Sequence, residues 1–378
     1  MHLVGLAPLD LDRLCSRLDP RADVTPADVA RLLEVPARLL AGAQDQGRAY
    51  RGLEKTAHDR RRGWPGPAPA GILRAMESSR LRVASAQLDC RLGQPAENLD
   101  KHLAMIAKAR EQGVDVLLFP ETSLTGFPHR PADDKATVHR NALREGSPVF
   151  DRIAETAGDM VVVCGFVEEA PAAQFYNACA AVTRDGIVYL HRKLNLATYG
   201  QLEEGKYFAQ GRCVDAFPIG GDGSWTASTL TCADVWNPAL VHLAALHGAT
   251  LLLVPINSAE GAVSSEFSNP AGWDLVSRFY AMIYGMPLVL ANRVGNEAGL
   301  GFWGGSRIVD PFGNVLAEAS RDEEALIVAD LDYDAVREAR IQLPTVRDSN
   351  LALVHREISR IYGTAGAPLI ARPRGRNT

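Results

Sequence analysis

The sequence predicts an α/β protein with a layered, mixed β-sheet and a small helical appendage at its N-terminus. From about residue 80 onward, short β-branched apolar runs alternate with helical patterns, and tight turns join some of the runs. Residues 1–62 show only helical spacing of their apolar residues. A Pro/Gly-rich stretch separates the two parts, and the length of 378 residues allows one large domain with an appendage.

Residues 1–62 are predicted to form a separate helical appendage. Leucines recur at helical spacing over residues 10–18, and Thr25 followed by Pro26 is typical of a helix start. Two short helices separated by a break have the outline of a helix-turn-helix, and basic residues follow them. Because any small helical bundle shows this pattern, we favour a packing or docking role over DNA binding.

A linker, 63–78, leads into the main domain, which is predicted to span 79–345; we assign 346–378 to a C-terminal extension that forms an interface or a tail. Asn98 is expected to cap the first helix of the domain, and Asp185-Gly186 predicts a hairpin turn. The predicted strands comprise 81–88, 114–119, 160–166, 178–183, 187–191, 225–231, 250–256, 287–292 and 325–331. The predicted helices comprise 99–112, 238–247, 274–284 and 333–340.

The composition argues against several classes of protein. A formal net charge of −5 gives no electrostatic case for nucleic-acid binding. No apolar run reaches the roughly 18 residues of a membrane span, and the first ten residues lack the features of a secretion signal. The six cysteines form no CxxC pair, so we expect a cytoplasmic protein without a disulfide framework, a metal or another cofactor.

Three predicted strands are each followed by a side chain capable of chemistry. Glu121 follows an apolar run and a proline, so it is poorly solvated, as suits a general base; Lys193 follows the hairpin. Cys232 lies between a strand and a helix start, a position that favours a thiolate. A thiol nucleophile needs a base and a positive group for the oxyanion. Each residue alone is more often structural, but together they supply these parts.

The three segments resemble the signature of the carbon–nitrogen hydrolase (nitrilase) superfamily. They occur in its order, as Phe-Pro-Glu-Thr around Glu121, His-Arg-Lys-Leu around Lys193 and Thr-Cys-Ala-Asp around Cys232. The resemblance covers about residues 80–350 and includes further blocks at 198–211, 291–295, 302–306 and 310–313. It implies an α-β-β-α sandwich (nitrilase-like) and pairing with a second subunit.

The resemblance also implies a role for each matched residue. Glu121 acts as general base and then as acid, and Cys232 attacks the substrate carbonyl to form a thioester. Lys193 and the backbone amide of Ala233 stabilise the oxyanion. Glu204 hydrogen-bonds to Lys193 or to the leaving amine and helps to position water. No metal or cofactor takes part.

The cysteine block narrows the resemblance to a subgroup. Cys-x-Asp-x-Trp-x-Pro and the loop 199–208 most resemble the glutaminase domains of glutamine-dependent NAD synthetases and stand-alone amidase relatives. Nitrilases usually carry Trp-Glu after the cysteine, so Ala233-Asp234 argues against nitrile hydrolysis. Six residues are candidates for the substrate pocket, and packing in the core explains each equally well. They are Phe127, His129, Tyr199, Trp236, Asn257 and Trp303.

Three functions are compatible with this sequence. The preferred one is hydrolysis of a small linear amide by a homo-oligomer, a dimer or larger. The second is a glutaminase or acyl-transfer module that supplies ammonia or an acyl group to a partner, since no P-loop or synthetase domain follows residue 350. The third is a regulator in which 1–62 contact DNA or a partner protein, and an intact triad weighs against it.

Overall fold

Two six-stranded sheets form the centre of the protein in a computed structural model, which describes residues 80–127, 135–220, 224–297 and 299–364. All of these residues belong to the unit Pro69–Thr378. The predicted appendage 1–62, the linker 63–78 and the pocket candidate His129 lie outside the described residues.

The first sheet is mixed, as the alternating sequence pattern predicts. Its members are β1 Arg80–Gln87, β2 Val116–Leu118, β3 Val161–Ala170, β4 Gln174–Thr183, β5 Gly186–Arg192 and β14 Ala325–Asp332. The strand order is β14-β1-β2-β3-β4-β5. The pairs β1–β2 and β2–β3 are parallel, and the remaining pairs are antiparallel.

The second sheet has a parallel centre and antiparallel edges. Its members are β6 Phe217–Ile219, β7 Trp225–Thr229, β8 Leu251–Pro255, β9 Leu288–Ala291, β12 Arg307–Val309 and β13 Val315–Glu318. The order is β13-β12-β9-β8-β7-β6, with β7, β8 and β9 parallel. A separate antiparallel hairpin consists of β10 Val294–Glu297 and β11 Leu300–Trp303.

Helices cover the outer faces of both sheets. The helices of the described residues are α1 Pro95–Glu111, α2 Lys135–Arg140, α3 Pro148–Ala157, α4 Pro238–Leu246, α5 Asn269–Tyr284, α6 Tyr333–Gln342 and α7 Leu351–Tyr362, of which α1, α3, α4 and α5 form these outer layers. Ile106 of α1 and Ile153 of α3 pack in one core cluster with the first sheet. Val241 of α4 and Tyr280 of α5 pack against the second sheet. The layers therefore run α-β-β-α, which confirms the predicted fold.

The two sheets also pack directly on each other. Val83 and Val163 of the first sheet share a buried apolar cluster with Leu253 of the second. Within this dry layer the Ser85 Oγ donates to the carbonyl oxygen of Leu290 at 2.9 Å, a buried hydrogen bond from one sheet to the other. Glu121, Lys193 and Cys232 each follow a strand of these two sheets.

The first helix begins earlier than predicted. It starts at Pro95, so Asn98 lies within its first turn and does not cap it. The buried Asn98 side chain instead accepts from Arg91 N at 3.0 Å and donates to the carbonyl oxygens of Arg91 and Leu124 at 2.9 and 3.2 Å. The prediction was wrong because Pro95 takes the first helical position, where its fixed φ and missing N–H suit a helix start.

The hairpin at Asp185-Gly186 forms where predicted, but its second strand contains one extra residue. Val188 of β5 lies between two residues whose partners are adjacent on β4. Such a bulge shifts the pairing beyond it by one residue. Asn177 therefore lies opposite Lys193, and Lys193 N donates to Asn177 O at 2.8 Å. If the same residues paired without the bulge, Tyr176 would take that position.

A neutral histidine lies buried beneath the loop that carries Glu121. His102 of α1 stacks on Phe119 with 4.1 Å between ring centroids. Its Nδ1 donates to Asn98 O at 2.7 Å, which leaves Nε2 to accept from Ser123 Oγ at 2.8 Å. Burial lowers the pKa of His102 from its ordinary value of 6.5 to about 4.

We expect this histidine to make the protein acid-labile. The unfolded chain protonates His102 near pH 6.5 whereas the fold resists it to about pH 4, so stability is full above pH 6.5 and is lost as the pH falls toward 4. The difference corresponds to about 3 kcal/mol. Denaturant unfolding of His102→Gln should show a flatter dependence between pH 4 and 7. His247→Gln, at an exposed site, is the control, and an unchanged slope in His102→Gln would contradict the assignment.

Candidate active site

The three predicted catalytic residues come together at the ends of strands from both sheets. Glu121 follows β2 and Lys193 follows β5 of the first sheet, whereas Cys232 follows β7 of the second. Glu121 and Lys193 are buried, each with 1% exposure, and Cys232 is half-buried. The site therefore lies at the edge of the apolar layer between the sheets, and Cys232 is the most exposed of the three residues.

One ammonium group joins two carboxylates. Lys193 Nζ donates to Glu121 Oε1 at 2.7 Å and to Glu204 Oε1 at 2.8 Å. Asn177 Nδ2 donates to the same two oxygens at 2.7 and 2.9 Å. Glu204 Oε2 accepts from the backbone amide of Ala197 at 2.5 Å. The sequence analysis named both glutamates and the lysine but missed Asn177.

Burial and charge have opposite effects on these groups. Burial alone would lower the pKa of Lys193, but the charges of Glu121 and Glu204 outweigh it and hold that pKa well above its usual range. Burial raises the pKa of Glu204, and the Glu121 charge adds to this, while Lys193 opposes it. The lysine is therefore a permanent cation beside a carboxylate that is costly to keep charged.

Cys232 lies at the start of a three-residue 3-10 turn, Cys232–Asp234, with a left-handed backbone (φ 47°). Burial raises the pKa of its thiol well above the usual value, and the Glu121 charge raises it further. Lys193 and a hydrogen bond from the Asn257 backbone act in the opposite direction but do not prevail. These effects disfavour the thiolate that the sequence position favours, because burial and a carboxylate dominate and α4 begins only at Pro238.

A glycine lets the Glu121 loop lie against β3. A Cβ added at Gly165 would lie 2.3 Å from Thr122 N and 2.7 Å from Pro120 O, closer than real atoms approach. Thr122 itself has a left-handed backbone (φ 48°). The loop turns sharply here, and this turn aims the Glu121 side chain at Lys193.

One buried carboxylate ties the lysine segment to the cysteine turn. Asp234 Oδ1 accepts from the backbone amides of Leu194 and Asn195 at 2.9 and 2.7 Å. Asp234 Oδ2 accepts from Thr231 N at 3.0 Å and lies 2.9 Å from His191 Nε2. These partners flank Lys193 on one side and Cys232 on the other. Asp234 thus fixes the two sheets relative to each other at the site.

Comparison with models of known families identifies the family of this chain. The carbon-nitrogen hydrolase family model matches residues 82–341, more than half of the chain. The chain belongs to the carbon-nitrogen hydrolase family. The matched range contains Glu121, Lys193, Glu204 and Cys232.

Relatives of this hydrolase include both amidases and larger synthetases. The chain is 31% identical over 268 residues to a glutamine-dependent NAD(+) synthetase of Thermotoga maritima, covering 68% of this chain and 42% of the synthetase. It spans half or less of the four such synthetases compared. It is 30% identical to an (R)-stereoselective amidase of Pseudomonas sp., covering 72% and 93% of the two chains. An amidase from Nesterenkonia sp. superimposes with a TM-score of 0.56 at 27% identity, covering 70% and 95%.

The structure brings some of the predicted pocket residues of the hydrolase close to the triad. Asn257 Nδ2 donates to Glu121 O at 3.4 Å. Burial raises the pKa of the Tyr199 phenol, and the Cys232 charge contributes, so that ring lies near the thiol. Trp303 is buried and donates to Ser258 Oγ at 3.1 Å, a contact typical of packing.

The other predicted residues are placed less directly. Trp236 packs on Trp273 and Phe267, with ring centroids 4.8 and 5.8 Å apart, and Phe127 is buried at the end of the Glu121 loop. Ala233 is buried in the turn of Cys232. Among the described residues, no three His, Cys, Asp or Glu side chains are placed to hold a metal ion. No helix in the described ranges is long and apolar enough to cross a bilayer.

We expect Asp234→Asn to weaken both the fold and the site. Asparagine keeps the shape but presents an NH2 group to donors that now meet a carboxylate, and each buried donor left without an acceptor costs about 1–3 kcal/mol. Denaturant unfolding measures the loss, and the rate of Cys232 alkylation measures displacement of the thiol. Asp348→Asn breaks an exposed ion pair with Arg347 and should leave the free energy of unfolding almost unchanged, because water screens such pairs. Equal stability of the two variants would contradict this role for Asp234.

Proposed function

We propose that this hydrolase cleaves a small linear amide through a thioester on Cys232. The observation that carries the proposal is the buried Lys193 ammonium, bonded to Glu121 and Glu204 beside a half-buried thiol. These are the base, the cation and the nucleophile that covalent amide hydrolysis requires.

Glu121 is proposed to take the thiol proton through its second oxygen. Its Oε1 already accepts from Lys193 and Asn177, whereas Oε2 is buried and has no hydrogen-bond partner among the described residues. Because the thiol pKa is raised, the proton leaves only when a base accepts it. The proton passes from Cys232 Sγ to Oε2 as the sulfur attacks the substrate carbonyl carbon.

The remaining steps use the same groups. The Lys193 ammonium and the Ala233 amide would stabilise the oxyanion of the tetrahedral intermediate. When the C–N bond breaks, Glu121 returns the proton to the leaving amine and the thioester remains. Glu121 then removes a proton from water, whose oxygen attacks the thioester, and returns that proton to Cys232 Sγ as the C–S bond breaks and the carboxylic acid leaves. Glu204 would keep Lys193 in place throughout.

Amide hydrolysis is supported by several relatives. The Pseudomonas protein and the Nesterenkonia protein are amidases, and a tomato relative, 28% identical to this chain, is an N-carbamoylputrescine amidase. In one structure of a Nesterenkonia amidase variant, the acetamide moiety of fluoroacetamide is attached to the active-site cysteine. That adduct is an alkyl group and shows a nucleophilic cysteine in the relative, whereas the species proposed here for Cys232 is a thioester.

A glutaminase role with a separate partner is the second candidate. It is favoured by the similarity to glutamine-dependent NAD(+) synthetases, in which this chain matches about half of the length. In that case glutamine would acylate Cys232, and its turnover would rise when the partner is added. Contacts of 1–62 with a partner protein or DNA, and the cytoplasmic location, stay predictions.

The thioester itself distinguishes the candidates. Incubation with a panel of short amides, N-carbamoyl amines and glutamine should add one acyl mass to Cys232, read by intact-protein and peptide mass spectrometry. Cys232→Ala should lose both the adduct and at least a thousandfold of the turnover. Cys213→Ala, at an exposed thiol, should keep both. Near-normal turnover in Cys232→Ala would refute the mechanism.

We also propose that the hydrolase forms a homo-oligomer of two or more copies. Apolar side chains are exposed on the outer face of α5, at Leu275, Phe279 and Met282, and on α7 at Ile358 and Ile361. A group of exposed apolar side chains such as this is typical of an interface between proteins. Light scattering of the full chain should give at least twice the monomer mass, and Phe279→Glu should reduce it. A monomer at micromolar concentration would contradict the proposal.

A further inference from the structure

The position of Asn177 is set by the β-bulge. Asn177 lies at the point where β4 faces Lys193, with its backbone oxygen accepting from Lys193 N. Side chains alternate along a strand, so Asn177 shares a face with Cys179 and Ala181, which pack between the two sheets. Asn177 is completely buried. Its side chain is therefore held inside the interior layer from which the active site opens.

The hydrogen bonds of this side chain go to catalytic groups alone. Nδ2 donates to Glu121 Oε1 and to Glu204 Oε1, the two oxygens that Lys193 Nζ also binds. Two donors and two acceptors thus alternate around a closed ring. Asn177 Oδ1 has no hydrogen-bond partner among the described residues. A buried asparagine with a purely structural role would also have a hydrogen bond to its side-chain oxygen. The hydrogen bonds of Asn177 go to the two carboxylates only, which indicates a role in holding them.

Charge explains why the site needs this amide. Glu121 and Glu204 carry one more negative charge than Lys193 neutralises, and both are buried. The other titratable neighbours of Glu121 are Cys232, Cys179 and Tyr199. All three are neutral when protonated, so none of them offsets the excess. The amide hydrogens of Asn177 are the remaining described donors to the two Oε1 atoms.

We infer that Asn177 is a positioning residue of the hydrolase: it holds Glu121 and Glu204 against Lys193 and leaves Glu121 Oε2 to receive the thiol proton. The inference rests on the proposed function of Glu121 as the base. Its two N–H bonds stabilise the ionised carboxylates. Removing them makes the carboxylates easier to protonate, and a protonated Glu121 no longer accepts from Cys232.

The experiment follows the acid limb of two pH profiles. The rate of Cys232 alkylation by iodoacetamide needs no substrate and is measured from pH 4 to 9, and kcat/KM for an accepted amide is measured over the same range. In Asn177→Leu, which keeps the branched shape but removes the donor, both acid limbs should move upward by about one pH unit. Asn177→Asp, which adds a charge and an acceptor, should move them further, and KM should change less than kcat in both variants.

A matched control separates positioning from stability. Ser85→Ala removes the buried hydrogen bond between the sheets, so it should lower stability and leave both acid limbs in place. A folded Asn177→Leu with the wild-type acid limb for alkylation overturns the inference. If the leucine variant fails to fold, Asn177→Ser, whose shorter side chain cannot reach both carboxylates, must show the shift.

The two proposals fail in different ways. If no amide of the panel is hydrolysed but Asn177→Leu still shifts the alkylation profile, the proposed function fails and the positioning of Glu121 stands. If the amide is hydrolysed through Cys232 and the Asn177 variants keep the wild-type profiles, only the role of Asn177 fails.

Discussion

The Lys193 ammonium is the interaction on which the rest of the site depends. Two carboxylates in a dry layer between sheets would repel each other and would each favour protonation. Sharing one cation lets Glu121 and Glu204 approach within hydrogen-bond distance of the same nitrogen. The cost of burying these charges is recovered only while every partner stays in place. This explains why the Asn177 amide and the Ala197 backbone N–H also bind the two carboxylates.

The site also depends on a joint between two separately built sheets. Glu121 and Lys193 come from one sheet and Cys232 from the other, so no single strand fixes their distances. Asp234 supplies the joint with bonds to both segments. Gly165 permits the close packing of the Glu121 loop on the first sheet. The bonds to Asp234 and the packing at Gly165 therefore hold the three segments in place before any substrate binds.

Much of the fold and the placement of Glu121, Lys193 and Cys232 after strands could be predicted from the sequence, because apolar runs that end in these residues are local signals. The state of the thiol could not be predicted, since it depends on burial and on a carboxylate from another segment. Asn177 was missed for a similar reason. A turn at Asp185-Gly186 gives no sign of a bulge three residues later. The early start of α1, in contrast, follows from Pro95 at its first position, a local signal that the sequence does contain.

The bulge at Val188 has a consequence for how the length of this hairpin varies. The face that a residue presents depends on whether an odd or an even number of residues separates it from the turn. Deleting Val188 would remove the bulge and leave Asn177 opposite Lys193, whereas inserting one residue between the bulge and Lys193 would put Tyr176 there. The Tyr176 ring now lies on the other face of the sheet, 4.4 Å from the Arg192 guanidinium. The pairing therefore tolerates loss of the extra residue but not a further insertion before Lys193.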